Sequence, residues 1–171
     1  MNLPDESLLG RELGLGASSG DLEPGLAARI GRLMHEQPFG VLCTQGQTQP
    51  YGSLVAFACS ADLDAVAFAT LVTTRKYRLL SACRRVALLV DSRSSHPGDM
   101  LQIEAVTATG EAVELDGDAA ASWTEALGAR HPNLKGFVAA PTCAVFRVNI
   151  TRYFHVARFQ EVRQWVPPAA G

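Results

Sequence analysis

Between residues 39 and 71 the chain runs through three short apolar segments, Phe39–Thr44, Tyr51–Ser60 and Ala65–Leu71, separated by Gln45-Gly46-Gln47 and Asp62-Leu63-Asp64. Runs this short, bounded this closely by turn formers, read as hairpin-connected β-strands rather than helices. Four more follow: Val86–Asp91, a long alternating segment Gln102–Leu115 interrupted at Gly110, and a closing pair, Thr142–Ile150 and Arg152–Phe159, joined almost without a loop at Thr151. The glycine predicts a bend or bulge. Three helices are expected around these strands. One opens at Pro24 and carries Leu26, Ile30, Leu33 and Met34 at helical spacing, and one runs from about Arg75 to Cys83. The third starts at Asp116 or Asp118 and continues through Leu127, with Trp123 and Leu127 on one face. The predicted fold is mainly β (α+β): an antiparallel barrel decorated by peripheral helices.

The expected organisation is a flexible arm over residues 1–22, one domain over 23–166 and a tail over 167–171. The string Gly14-Leu15-Gly16-Ala17-Ser18-Ser19-Gly20 lacks a preceding strand and the spacing of a nucleotide loop, so it reads as linker. At 171 residues with 47% hydrophobic side chains, the chain can bury a core without metal or disulfide staples. Fifteen basic residues against seventeen acidic ones leave a net charge of −2, with none of the basic excess that duplex nucleic acid or an anionic membrane selects. Cys43, Cys59, Cys83 and Cys143 are 16, 24 and 60 residues apart, which fits neither a zinc site nor a redox pair. With no secretory signal or membrane-spanning run in the sequence, a cytoplasmic protein is expected.

The stretch with chemistry in it is Phe68-Ala69-Thr70-Leu71-Val72-Thr73-Thr74-Arg75-Lys76-Tyr77, where a strand ends in hydroxyl residues and a helix begins with two cations. Helix N-termini offer unpaired N–H groups to anions, and Thr74 can cap the helix or donate its hydroxyl. Arg75, Lys76, Arg78, Arg84 and Arg85 make up a third of the basic residues, with no acid among them. In a net-acidic chain that concentration suggests a phosphate; a solvated helix face is the plain alternative. The four histidines form no metal-ligand spacing, so no metal site is expected, and no side chain stands out as a catalytic acid or base.

The ordered strings Pro50-Tyr51-Gly52-Ser53-Leu54-Val55, Phe68-Ala69-Thr70, Thr74-Arg75-Lys76, Arg85–Asp91, Arg130-His131-Pro132 and Arg152-Tyr153-Phe154-His155-Val156 together resemble the pyridoxamine 5′-phosphate oxidase-like, FMN-binding split-barrel family over about residues 25–162. The resemblance implies a six- or seven-stranded split β-barrel, a homodimer with FMN at the subunit interface, and an FMN-dependent oxidoreductase acting on a small redox substrate. It implies that Thr70, Thr74, Arg75 and Lys76 hold the FMN phosphate, and that backbone groups of Ser53, Leu54 and Val55 meet the flavin ring. The oxidases proper carry Arg at the place of Ser53, Lys at Ala58 and Gln at Ala105, and have a C-terminal substrate segment without counterpart here. Vitamin B6 oxidation is therefore not expected. Three other readings stay open: a flavin-binding protein without turnover, a haem-handling protein with His96, His131 or His155 as ligand, and use of a deazaflavin.

Overall fold

The computed structural model describes residues 25–46, 49–158 and 161–168. The expected N-terminal arm, the linker glycines and Pro24 lie outside the described residues, as do positions 169–171 of the tail. The elements are α1 (Leu26–Glu36), β1 (Phe39–Gln45), β2 (Pro50–Cys59), β3 (Ala65–Leu71), α2 (Arg75–Ala82), β4 (Arg85–Asp91), β5 (Ala105–Glu114), α3 (Gly117–Arg130), a 3-10 turn (Pro132–Leu134), the short α4 (Lys135–Val138), β6 (Cys143–Ala157) and β7 (Glu161–Trp165). Strand order is β3-β2-β1-β4-β5-β6-β7, every pairing is antiparallel, and a β3–β6 pairing closes the first six strands into a barrel. β7 extends from the β6 edge. The split-barrel expectation holds.

Alternating inward residues fill the barrel: Leu42, Phe57, Val66, Phe68, Leu88, Val106, Phe146 and Val148 are all buried. Phe68 and Phe146 stack at 5.6 Å, and Tyr77 of α2 meets Phe146 edge-on at 5.9 Å. α1 packs on this core through Leu26, Ile30, Leu33 and Met34, the four positions that the helical spacing selected. Outside the barrel, Ala58 and Val145 form a second apolar cluster with Leu127 of α3 and Val138 of α4, with Trp123 packed alongside. Arg130, the last residue of α3, ties the two helical regions together. Its Nη2 donates to the carbonyls of Met34 (2.7 Å), His35 (3.1 Å) and Gln37 (2.8 Å), so one guanidinium caps the C-terminal end of α1.

One expectation is corrected. The runs expected at Thr142–Ile150 and Arg152–Phe159 fall on a single 15-residue strand, β6 (Cys143–Ala157), with Phe159 outside the described residues, and β6 pairs with β7 as the closing antiparallel pair. Register with β5 passes from Thr109↔Arg152 to Gly110↔Ile150, so Thr151 is an extra residue in a bulge. Its hydroxyl donates to the Thr109 carbonyl at 3.1 Å. Gly110 allows the close approach, since a Cβ there would collide with the Asn149 carbonyl oxygen. The bend expected at Gly110 and the break read at Thr151 are two sides of one feature.

Candidate functional site

β2 pairs with β1 from Pro50 to Ala56, but with β3 only at Phe57–Cys59. Past Phe57 the two strands part while β3 stays zipped to β6 through Leu71. The fork leaves one backbone edge of β2 without a ladder partner and opens a cleft of about 260 Å³. Leu54, Val55 and Ala56 form one side, and Ala69, Thr70 and Leu71 the other. Leu127, His131, Leu134, Phe137 and Val138 form an apolar outer wall, and Thr74 and Lys76 complete the lining.

The α2 end of this cleft is built by local hydrogen bonding. Thr74 has extended backbone geometry, and its Oγ1 accepts the Tyr77 N–H at 3.2 Å and donates to the Leu71 carbonyl at 2.9 Å. Thr74 is therefore the N-cap, and its proton is spent. The Thr70 hydroxyl, 2.9 Å away, is then the donor in the Thr70–Thr74 bond. The N–H groups of Arg75 and Lys76, in the first turn, have no acceptor among the described residues. Lys76 is half-buried and forms no ion pair with any described residue; burial lowers its ammonium's affinity for a proton, with the nearby Cys143 thiol acting weakly the other way. The Lys76 ammonium lies over the face of the Phe68 ring, 5.9 Å from the centroid, and a partly desolvated cation without a counter-charge is an anion acceptor.

Of the seven residues expected to hold a cofactor, Leu54, Val55, Thr70, Thr74 and Lys76 converge on the cleft. Arg75 does not line it; its exposed guanidinium lies over the Tyr51 ring, 4.9 Å from the centroid. Ser53 sits on β2 opposite Leu42, and its Oγ is buried without a hydrogen-bond partner among the described residues. Of the outer wall, the sequence marks only His131 as a possible ligand-binding residue; Leu134, Phe137 and Val138 lie in a segment without strand or helix periodicity, which leaves no sign of a site. His131 is the wall's polar member. The Nε2 of His131 lies 2.9 Å from the Phe57 carbonyl, at the point where β2 and β3 part.

The other histidines are placed differently. His155 is fully buried, with Nε2 3.2 Å from Glu104, and its Nδ1 has no hydrogen-bond partner among the described residues. Burial lowers its pKa, opposed by the hydrogen bond and charge of Glu104, while the charges of Arg29 and Arg163 add to the lowering. Glu104 also binds Arg29 at 2.9 Å and approaches Arg32 at 3.6 Å. His96 lies in the β4–β5 connection, away from the cleft. No cluster of His, Cys, Asp and Glu able to hold a metal ion occurs among the described residues.

The model of the family described as pyridoxamine 5′-phosphate oxidase matches residues 26–164. No curated protein matches the chain in sequence. Among solved structures, a heme binding protein from Mycobacterium smegmatis superposes with a TM-score of 0.73 at 20% identity, over 85% of this chain and 59% of that one. The chain thus spans about three fifths of that protein. HutZ, the heme storage protein of Vibrio cholerae, superposes with a TM-score of 0.63 at 16% identity, over 73% of this chain and 89% of that one. An FAD-binding protein from Mesorhizobium loti gives 0.61 at 17% identity, over 75% and 92%. At such identities the likeness is one of fold.

Proposed function

The chain belongs to the pyridoxamine 5′-phosphate oxidase family, and from that premise we propose that it is an FMN-binding flavoprotein, a cytoplasmic FMN-dependent oxidoreductase of a small-molecule substrate other than pyridoxamine 5′-phosphate. The observation that carries this reading is Lys76, an ammonium with no counter-charge among the described residues, at a cleft that is otherwise largely apolar. The residues fit the group. Lys76 and the Arg75 and Lys76 amides suit a phosphate, Thr70 bracing the N-cap Thr74 rather than donating to the ligand, and the unpaired β2 edge at Leu54 and Val55 suits the polar rim of a planar ring. Bound FMN would supply the redox chemistry. The chain's part is to anchor the phosphate, orient the ring against β2 and exclude water with Leu127, Leu134, Phe137 and Val138. Ala58, where the oxidases proper carry a lysine, is buried against Leu127, Val138 and Val145, with no cation for a second phosphate.

The same reading includes a homodimer. Phe39 and Leu54 are 50% and 69% exposed on neighbouring strands, and Val41 and Leu89 join them in lining an open apolar groove. An uncovered sheet face of this kind, continuous with the cleft at Leu54, is what a second copy would cover. Haem handling finds no ligand in His155, which is sealed inside the barrel wall; His131, with Nε2 on the Phe57 carbonyl, keeps its other nitrogen available, so absorbance decides between the two groups.

Absorbance of the purified protein tests the proposal. The expected result is a flavin spectrum saturating at one FMN per chain, bleached by NADH or NADPH. A flavin spectrum that no donor reduces would leave a binding protein without turnover. A Soret band saturating at one haem per chain, with no FMN uptake, would overturn the flavin reading.

A further inference from the structure

The cleft contains one group that the phosphate and strand-edge contacts leave unused. In a neutral His131 ring the tautomer is fixed: the Phe57 carbonyl can only accept, so Nε2 carries the proton and Nδ1 presents a lone pair. That Nδ1 has no hydrogen-bond partner among the described residues, and unlike Nδ1 of His155 it is not sealed from open space. His131 is among the residues that line the cleft. The ring cannot easily turn away. It is 8% exposed, one face stacks on Phe39 with centroids 6.0 Å apart and planes at 23°, and its neighbours are Arg130, which clamps α1, and Pro132, which opens the 3-10 turn.

Its chemistry complements the rest of the lining. Lys76 only donates, and the protons of Thr70 and Thr74 are committed to Thr74 and Leu71. His131 adds an oriented acceptor to a wall otherwise made of Leu127, Leu134, Phe137 and Val138. Resting on the reading that FMN occupies this cleft, we propose that His131 is a ligand-binding residue whose Nδ1 accepts a hydrogen bond from an N–H or O–H donor of the bound flavin. FMN has two kinds of donor at neutral pH, the ring N3–H and the ribityl hydroxyls. Its phosphate and the flat faces of its ring offer none. Apolar contact alone discriminates poorly between such ligands and analogues lacking the donor, whereas a pocket acceptor does so strongly.

The test uses the full chain with FMN, 3-methyl-FMN and the 2′-, 3′- and 4′-deoxy analogues of FMN, titrated into wild type and His131→Phe by fluorescence quenching. In wild type one analogue should bind about tenfold or more weakly than FMN, and which one identifies the donor. In His131→Phe that discrimination should vanish, a coupling that a purely structural role for the imidazole would not produce. Should that variant fail to fold, nitrogen NMR of wild type labelled at histidine gives the same answer. The His131 Nδ1 resonance should move to lower frequency on saturation with FMN while Nε2 stays in place. Analogues binding within twofold of FMN in wild type, discrimination surviving in His131→Phe, or an unmoved Nδ1 resonance would overturn the inference. If FMN itself does not bind, it is the flavin reading that fails.

Discussion

The barrel has a sealed region and an open one, and they treat charge in opposite ways. Where β5 and β6 run together, pairing extends from Ala105↔Val156 to Glu114↔Phe146, interrupted only by the bulge. At that end the Glu104 carboxylate is met by Arg29, Arg32 and His155. Where β2 leaves β3, the ladder stops after three residues, and Lys76 stands half-buried over the Phe68 ring with no ion-pair partner among the described residues. A compensated buried cluster holds a fold in one arrangement, whereas an uncompensated cation beside a free strand edge costs stability until something binds. The contrast separates the residues that position the site from those that would hold a ligand.

The strongest way to break the contrast is at the seam. Gly110→Ala should destabilise the protein by about 1–3 kcal/mol, the range for forcing an atom into a packed position, read as a lower denaturant midpoint. Lys76→Ala should do the reverse. FMN affinity should fall by about 1.5–3 kcal/mol, roughly ten- to a hundredfold, while the ligand-free protein is no less stable than wild type. A clear loss of ligand-free stability would place Lys76 among the structural residues.

Proton linkage sharpens the same comparison. The pKa of Lys76 is lowered in the fold, so just below the ordinary lysine range the unfolded chain binds more protons, and ligand-free stability should rise with pH there. Saturating phosphate ligand should flatten that rise. His155 and Glu104 are both held below their ordinary pKa values, so their contributions are present at neutral pH. Stability should decline as pH falls from about 6.5 for the histidine, and further as it falls below about 4.3 for the carboxylate. Thermal melts from pH 7 to 4 check this, and His155→Phe should remove the upper part of the decline. The smallest effect is expected of Arg75→Ala. Its cation–π contact with Tyr51 is exposed, worth about 0.5–1 kcal/mol, so FMN affinity should change by less than about fivefold. An effect equal to that of Lys76→Ala would bring Arg75 into the cleft.

Most of this frame was legible in the sequence because it rests on local periodicity. Leu26, Ile30, Leu33 and Met34 announce the buried face of α1, and the hydroxyl-then-cation string at Thr70–Lys76 announces a capped helix start. β6 was misread because a bulge inserts one residue. The buried side chains pass from Val148 and Ile150 to Tyr153 and His155, and that change of phase at Thr151 looks like the end of one strand and the start of another. The outer wall of the cleft left no comparable signal. His131 owes its position to a carbonyl 74 residues away in the chain and to a helix clamp made by Arg130. Only the tertiary fold brings those together.

Whether Lys76 and the start of α2 hold a phosphate is read most directly by comparing FMN with riboflavin, which lacks it. Wild type should bind FMN at least tenfold more tightly than riboflavin, and Lys76→Ala should reduce that preference severalfold or more. Equal affinities of wild type for the two flavins would contradict the account.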